Sequence, residues 1–350
     1  MAYTTIDDSS AHFQATIYTG EGNGTVVTND GNSDLQPDLV WFKRRGGLGY
    51  HQVLDSTRGV TKRLWTNDDG VEGTQNQLAS FDSNGFTCGS STDLAPADTC
   101  VAWQWKANGG TTSTNTAGSM SETVTVQANT TAGFSIITYT GSGTSGNTVG
   151  HGMGAIAELV ITKARVDVAE DGWQVYHEAI GPGNKLVLDT TAAYTSTSNW
   201  ASTRPTSTVI TVNASDGGNN EDGDTFVAYC FAPIQGFSKF GSYKGTGNEF
   251  GPFVYLGFKP AFLMVKGYAG TDDWIMMDHK RSGYNSENEY LDANNNTAES
   301  DVTNVIDFLS NGFKLKSTFS SLNYATGEYI YAAFAENPFV TSTGIPGMAR

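Results

Sequence analysis

Charge is scarce in this chain of 350 residues, and positive charge is the scarcest. Lys and Arg number 20 against 36 Asp and Glu, so charged residues are only 16% of the sequence and the net charge is −16. Binding to nucleic acid needs basic side chains that displace counterions from the phosphates, so the composition argues against a nucleic-acid partner. Lys43-Arg44-Arg45 is the one basic cluster, and a negatively charged partner surface would attract it.

Long apolar runs and a secretory leader are also missing. No stretch approaches the ~20 apolar residues that a membrane-spanning helix needs, so no membrane insertion is expected. The first eight residues, Met-Ala-Tyr-Thr-Thr-Ile-Asp-Asp, have neither the basic nor the apolar segment of a signal peptide. Cys88, Cys100 and Cys230 are an odd number at no metal-ligand spacing. We therefore expect free thiols in a chain that folds in a reducing cytoplasm.

Glycine and small polar residues take the place of the missing charge. The chain has 41 glycines and is rich in Ser, Thr and Asn, while 38% of its residues are hydrophobic and 11% aromatic. The apolar fraction is enough for buried cores, and the polar and glycine content suits short strands joined by turns better than long helices. The composition therefore predicts an all-β protein.

One pattern occurs three times along the sequence. Each copy has a Tyr-x-Gly motif, an apolar strand that ends in Lys, and a closing aromatic strand. The motifs are Tyr18-Thr19-Gly20, Tyr139-Thr140-Gly141 and Tyr243-Lys244-Gly245. The lysines are Lys43, Lys163 and Lys266, and the closing strands are Val101-Ala102-Trp103-Gln104-Trp105, Val227-Ala228-Tyr229-Cys230-Phe231 and Ile330-Tyr331-Ala332-Ala333-Phe334. The constant order of these landmarks indicates an internal repeat of about 100 residues.

A hairpin signal precedes the closing strand in the first and third copies. The hexamers Phe81-Asp82-Ser83-Asn84-Gly85-Phe86 and Phe308-Leu309-Ser310-Asn311-Gly312-Phe313 place Asn-Gly between apolar residues, which favours a tight turn. The second copy lacks this hexamer, and residues 215–218 are the alternative turn there.

Short strands with turn signals every ~8–12 residues are typical of β-sandwiches. We expect three tandem β-sandwich domains with a jelly-roll or lectin-like layout. The boundaries are residues 1–107 with an N-terminal arm over residues 1–10, a Ser/Thr/Gly-rich linker over 108–131, a second sandwich over 132–234, and a third over 235–350 that includes a C-terminal tail. Short linkers predict a stiff rod or knob.

No set of chemistry-bearing residues has the spacing of a known catalytic or metal site. The histidines, His12, His51, His151, His177 and His279, share no zinc spacing, and no Gly-x-Ser-x-Gly motif occurs. Adjacent acids at Asp68-Asp69, Glu170-Asp171, Glu221-Asp222 and Asp272-Asp273 are interpreted as solvated loops. We therefore expect no enzyme activity, no catalytic residues and no cofactor.

Two weaker signals remain open. The run from Asn219 to Asp224 (Asn-Asn-Glu-Asp-Gly-Asp) crowds oxygen ligands that suit calcium, although the same composition makes ordinary turns. Exposed aromatic rings could stack on a sugar, and the candidates outside strands are Trp65, Trp200, Tyr268 and Tyr284. The tryptophans within strands are expected in the core, and they are Trp41, Trp103, Trp105, Trp173 and Trp274.

With the repeat in place, the sequence resembles a group of structural proteins of tailed bacteriophages, especially marine ones, over nearly the whole chain. The resemblance is carried by residues 1–8, by Leu35-Gln36-Pro37-Asp38-Leu39-Val40-Trp41, by residues 80–87, by Ala333-Phe334-Ala335-Glu336-Asn337-Pro338-Phe339 and by Gly344-Ile345-Pro346. These motifs belong to the fold and bring no catalytic residues. Copy two departs from the pattern, since it lacks both the proline before its Lys-ending strand and the hexamer.

The resemblance implies a virion structural protein, assembled in the host cytoplasm and either tail-associated or fibre-like. Its partners would be other virion proteins, further copies of itself in a homo-oligomer, and a host-surface glycan or receptor. A capsid decoration or knob protein is the alternative, and a carbohydrate-binding or carbohydrate-active protein is the alternative from another class. We expect copy one to anchor to the virion through its arm and basic cluster, and copy three to face outward with Tyr268, Tyr284 and Tyr290.

Overall fold

Strands make up almost all of the regular structure. The computed structural model describes residues 2–91, 93–120, 124–166, 172–214 and 219–347, with 44% of the chain in strands and 2% in helix. Within those residues the helical pieces are one 3-10 turn, Ser9–Ala11, and one short helix, α1 (Ser320–Asn323). The expectation of an all-β protein is confirmed.

The strands fall into three successive units, which we number by their residues. Unit 1 (residues 13–105) contains β1 Phe13–Thr19, β2 Val26–Thr28, β3 Leu39–Arg44, β4 Gln52–Asp55, β5 Lys62–Trp65, β6 Gly73–Thr74, β7 Leu78–Asp82, β8 Gly85–Cys88 and β9 Thr99–Trp105. Unit 2 (residues 113–231) contains β10 Ser113–Thr114, β11 Thr125–Asn129, β12 Phe134–Thr140, β13 Asn147–Gly150, β14 Leu159–Ala164, β15 Gln174–His177, β16 Asn184–Val187, β17 Thr195–Ser196, β18 Val209–Val212 and β19 Thr225–Phe231. Unit 3 (residues 238–338) contains β20 Ser238–Lys244, β21 Phe253–Tyr255, β22 Phe258–Gly267, β23 Trp274–Asp278, β24 Glu287–Asp292, β25 Ser300–Leu309, β26 Gly312–Leu315 and β27 Glu328–Pro338.

The same antiparallel strand order occurs in each unit. The larger sheets run β1-β9-β3-β4-β5, β12-β19-β14-β15-β16 and β20-β27-β22-β23-β24, and the smaller ones run β2-β8-β7, β13-β18 and β21-β26-β25. In unit 3 the two sheets are continuous through the pairing of β24 with β25. Apolar side chains fill the space between the sheets, such as Val27, Phe42 and Phe86 in unit 1 and Val149 and Phe226 in unit 2. The repeated sequence pattern therefore corresponds to a repeated topology.

The strand register confirms the alignment of the copies. Lys43 pairs with Val101, Lys163 pairs with Val227, and Lys266 pairs with Ile330. All three lysines are buried. A buried ammonium group needs acceptors, and Lys163 Nζ donates to Asp69 O of unit 1 at 2.8 Å, while Lys266 Nζ donates to Thr191 O of unit 2 at 3.0 Å. In units 2 and 3 the Lys at the end of the repeated strand thus links the unit to the one before it, whereas Lys43 Nζ donates to Arg44 O of its own unit at 2.6 Å.

The Tyr-x-Gly motif is a corner that joins the first strand of each unit to the segment before its closing strand. The hydroxyl groups of Tyr18, Tyr139 and Tyr243 donate to Leu94 O, Asn219 O and Leu322 O at 2.6, 2.6 and 2.8 Å. The motif glycine lies against backbone, since a Cβ on Gly20 would lie 2.2 Å from Pro96 O and one on Gly141 would lie 1.9 Å from Glu221 O. Each copy keeps Tyr and Gly because the corner needs both.

The two predicted hairpins are present, and the predicted linker carries strands. Asp82 pairs with Gly85 and Leu309 pairs with Gly312, so each hexamer turns through two residues. The alternative turn at residues 215–218 lies outside the described residues. Residues 108–131, expected to form a linker, contribute β10 and β11, which extend the larger sheet of unit 2 beyond β12.

The larger sheets bury their second face against one another. The strands β3, β14 and β22 are buried along nearly their whole length, without alternation between buried and exposed residues. Trp105 and Phe231 end β9 and β19, Phe334 is the equivalent residue within β27, and the three rings contact one another, with ring centroids 6.3, 5.5 and 5.6 Å apart. Three equivalent residues in mutual contact place the units around a common axis, so the units form a ring, which disagrees with a rod but not with a knob, the two shapes expected from the sequence.

Hydrogen bonds donated by tryptophan indole groups cross all three junctions of the ring. Trp173 of unit 2 donates Nε1–H to Trp65 O of unit 1 at 2.7 Å, and the equivalent Trp274 of unit 3 donates to Val187 O of unit 2 at 3.2 Å. Unit 1 closes the ring on unit 3, because Trp103 Nε1 donates to Asp278 Oδ2 at 3.0 Å. A head-to-tail interface of this kind closes when its rotation returns to the start, here after three units.

Among the residues that the structure describes, two of the junctions contain ion pairs with little exposure to solvent and the third does not. Glu72 of unit 1 accepts from Arg58 at 3.1 Å and from Arg165 of unit 2 at 2.8 Å. The corresponding Glu299 of unit 3 accepts from Arg281 at 3.1 Å and from Arg45 of unit 1 at 2.7 Å. Between units 2 and 3 the same place holds an aromatic pair, Tyr194 and Tyr268, with centroids 5.7 Å apart.

The N-terminal arm lies on unit 3 of its own chain. Thr4 Oγ1 donates to Gln235 O at 2.7 Å, Tyr3 Oη donates to Gly257 O at 2.9 Å, and Ile6 is buried. The arm therefore contacts its own chain, and its expected role in anchoring copy one to the virion stays a prediction.

Replacing Phe334 with Ala is expected to destabilise the whole ring. The ring of Phe334 contacts all three units, and a Phe→Ala change in a core costs about 3–5 kcal/mol of unfolding free energy. Urea unfolding followed by circular dichroism measures the loss. Phe250→Ala is the matched control, because Phe250 is 84% exposed. A loss for Phe334→Ala no larger than that of the control would contradict the shared core.

Candidate functional site

The structure separates the aromatic residues by burial. Trp41, Trp103, Trp105, Trp173 and Trp274 are buried, as predicted. Trp200, expected to be available for stacking on a sugar, is instead 2% exposed and packs edge-on against Tyr176 in the core of unit 2, so that prediction was wrong.

The other candidate rings keep different degrees of exposure. Tyr268 is half-buried and donates to Glu328 Oε2 at 3.0 Å, while Tyr290 packs on Phe319. Tyr284 is 80% exposed and Trp65 is partly exposed, so these two keep a face that a ligand could contact.

The basic cluster does not form a positive surface. Lys43 is fully buried, and burial lowers its pKa to about 8. Arg45 is paired with Glu299, and Arg44 is paired with Asp98 at 2.6 Å. The expected attraction of a negatively charged partner to this cluster therefore needs correction, because its charges are buried or paired within the chain.

The polar runs singled out in the sequence serve turns. Asn219 Oδ1 accepts from Asn213 N, and Asn220 Oδ1 accepts from Ser142 N. Asp68 accepts from Gly70 N, and Asp273 accepts from Asn294 Nδ2. The pair at residues 170–171 lies outside the described residues. Across the residues that the structure describes, no three His, Cys, Asp or Glu side chains are grouped so that they could hold a metal ion.

The thiols and several histidines belong to the interior. Cys88, Cys100 and Cys230 are free and buried, as predicted, and burial raises the pKa of Cys88 to about 12. Burial lowers the pKa of His177 to about 4, and His177 Nε2 lies 3.1 Å from Tyr331 O of unit 3. His51 stands where the other units have Trp173 and Trp274, and burial holds its pKa well below the usual range. These histidines are therefore neutral at pH 7.

A cleft of about 530 Å³ opens on unit 1 beside β4 and β5. Tyr50, which is 46% exposed, and Trp65 form its aromatic side, with ring centroids 5.8 Å apart. Gln52 lines the floor and is 3% exposed. Its Oε1 atom is shielded from solvent and has no hydrogen-bond partner among the described residues. An amide oxygen buried in this way needs a donor that the chain does not supply.

The charged groups of this cleft, which we call the unit 1 cleft, are arranged in pairs. The guanidinium of Arg63 lies 4.5 Å from the ring centroid of Trp65 and is paired with Asp93 at 2.5 Å. Arg44 reaches the cleft from β3 and is paired with Asp98. The lining therefore combines aromatic faces, a planar amide and neutralised charges, which is the composition of a small-molecule site.

Sequence reasoning singled out Trp65 but missed Tyr50, Gln52 and Arg63. The register aligns Trp65 with Val187 and Asp292 in the other units, so an aromatic residue occurs there only in unit 1. The usable signal was this departure from the repeat pattern.

A second cleft of about 580 Å³ lies on unit 3 between β24 and the end of β27. Glu287 lines it and is 3% exposed, and its Oε2 atom has no hydrogen-bond partner among the described residues. Burial, and next the charge of Asp278, raise the pKa of Glu287 to about 8 although Lys259 and Arg281 oppose the shift. Glu287 is therefore largely protonated at pH 7.

The fold and the clefts define an all-β protein with three repeated units closed around one core and a mixed polar and aromatic cleft on the first unit. Residues 8–338 match a family described as a domain of unknown function, DUF7483, and the chain belongs to this family. Searches among curated proteins and among solved structures gave no match. No helix within the described residues is long and apolar enough to cross a membrane.

Replacing Glu287 with Gln is expected to change how stability depends on pH. The carboxyl titrates near 4.5 when unfolded and near 8 when folded, so the folded chain holds an extra proton between these values. Stability from this group is complete below about 4.5 and is lost as the pH rises through about 8. Glu287→Gln should therefore lose less stability than the wild type over this range.

Thermal unfolding midpoints measured from pH 4.5 to 8.5 test this expectation. Glu249→Gln serves as the control, because Glu249 is exposed. An unchanged slope of midpoint against pH in Glu287→Gln would contradict the raised pKa.

Proposed function

We propose that the chain is a structural protein of a tailed-bacteriophage virion, tail-associated or fibre-like and exposed for contact with the host surface. Each unit is proposed to be a jelly-roll or lectin-like β-sandwich. The resemblance of the sequence motifs to phage structural proteins motivates the proposal, and the chain would assemble with other virion proteins in the host cytoplasm.

The observation that carries the proposal is the closed ring of three homologous units. The contacts of Trp105, Phe231 and Phe334 join all units in one core, so no unit can open without exposing apolar surface. A chain of this kind suits a particle component that must resist proteases and keep its shape. The closed ring favours a knob at the end or side of a larger structure over a rod.

Assembly with other copies would use surfaces outside the ring. The junction surfaces of the three units are occupied within one chain, through Arg165 on Glu72, Trp274 on Val187 and Arg45 on Glu299. A homo-oligomer would therefore pair through the outer edges of the sheets.

Two alternatives remain as proposals. A capsid decoration protein would use the same ring as a knob on the shell. A carbohydrate-binding protein is favoured by one specific observation, the unit 1 cleft with Tyr50, Trp65 and Gln52, whose Oε1 atom has no hydrogen-bond partner among the described residues.

Localisation in purified particles tests the proposal. Phage particles from a lysate of the host are banded by density, probed with an antibody to this chain, and labelled with gold for electron microscopy. We expect the chain to band with the particles and the gold to lie on the tail, and an antibody to a soluble host enzyme is the control. Gold on the shell would favour the decoration protein, and absence of the chain from the band would contradict a virion role.

A further inference from the structure

We propose that the unit 1 cleft binds a neutral saccharide, with a sugar ring seated against Tyr50 and Trp65. The inference takes its biological setting from the proposed function, since it names the class of host-surface ligand, but the binding itself can be tested on the isolated chain. Four steps support it: the aromatic wall, the unsatisfied amide, the comparison with unit 2, and the paired charges.

The aromatic wall offers the apolar contact that a sugar needs. Tyr50 is 46% exposed although it lies beside the partly exposed Trp65, so part of an aromatic surface is open to solvent. Arg63 stacks on Trp65 and holds that ring in place. The C–H face of a pyranose is apolar and matches such a surface, while its hydroxyl groups remain available for polar contacts.

The amide of Gln52 supplies an unsatisfied polar group in the same cleft. Its Oε1 atom has no donor within the part of the chain that the structure describes, and the two ends of an amide exchange by a half-turn of the group. A sugar hydroxyl both donates and accepts, so it satisfies the amide in either orientation.

Unit 2 shows what this amide does when a neighbouring side chain supplies a donor. The register aligns Gln52 with Gln174, and Gln174 Oε1 accepts a hydrogen bond from Asn199 Nδ2 at 3.1 Å. Asn199 itself is buried, so the chain fills this place in unit 2 with its own side chain. In unit 1 the residue with the equivalent amide lines the cleft and no described side chain takes the place of Asn199, so a ligand that reaches the amide would take the role that Asn199 has in unit 2.

The paired charges select a neutral ligand. Arg44 is paired with Asp98 and Arg63 with Asp93, so neither arginine in the lining is free to neutralise a phosphate or carboxylate. The chain as a whole carries a net charge of −16, which repels anions further. These charges make an acidic saccharide a poorer ligand than a neutral one.

Titration of the purified full-length chain tests the proposal. The probes are neutral oligosaccharides of glucose, galactose, mannose and N-acetylglucosamine, and sialylated and uronate-containing glycans are the acidic comparison set. Binding is followed by calorimetry and ligand-observed NMR. We expect binding of at least one neutral probe, weakened about tenfold by Tyr50→Ala and also weakened by Gln52→Leu.

Tyr324→Ala is the matched control, because Tyr324 is 60% exposed and does not line the cleft. Circular dichroism establishes that each variant is folded, and Tyr50→Ala removes only a half-exposed ring. The proposal is overturned if no neutral probe binds at millimolar concentration, if only acidic glycans bind, or if Tyr284→Ala on unit 3 abolishes binding while Tyr50→Ala does not. If the chain binds a neutral saccharide but is absent from phage particles, this inference stands and the virion role is contradicted. If the chain is present in particles but binds no neutral saccharide, only this inference is contradicted.

Discussion

The contact of Trp105, Phe231 and Phe334 is the interaction on which the rest of the structure depends. The three rings occupy equivalent positions in the closing strands of their units, and each touches the other two. Because this contact lies on the second face of the larger sheets, it requires those strands to be apolar on both sides. The contact also determines which surfaces meet at the junctions, because units arranged around a common axis must each present an equivalent edge to the next unit.

Duplication within one chain allowed the junctions and surfaces to diverge. Buried Arg and Glu residues stabilise two junctions, and Tyr194 with Tyr268 replaces them in the third. Buried ion pairs lose much of their Coulomb energy to desolvation, so an aromatic pair can substitute for them without loss of stability. The same freedom explains why a cleft lined by Tyr50 and Trp65 lies on unit 1 while Asn199 satisfies the equivalent amide in unit 2.

Much of the fold could be predicted from the sequence because each copy of the repeat is defined by short motifs of residues that are neighbours in the chain. The Tyr-x-Gly corners, the Asn-Gly hairpins and the alignment through Lys43, Lys163 and Lys266 follow from short motifs. The ring could not be predicted from these motifs, since it depends on contacts between residues about 100 positions apart or more. One signal pointed to it: the strand Leu39-Val40-Trp41-Phe42 lacks the alternation of a sheet with one solvent face.

The candidate site was less predictable than the fold. The sequence predicts that both Trp200 and Trp65 lie outside the strands that form the core. Only tertiary packing buries Trp200 and leaves Trp65 partly exposed. The arm over residues 1–10 gives no sequence sign of its contact with Gln235. The sequence sign of the cleft was a departure from the repeat, because Trp65 stands where the other units have Val187 and Asp292.

Scanning calorimetry of the intact chain tests the central claim, that three units share one core, most directly. A shared core predicts a single unfolding transition in which the calorimetric and van't Hoff enthalpies agree, with a ratio of about 1. Two or three resolved transitions, each with the enthalpy of about 100 residues, would show that the units unfold independently and would contradict the ring.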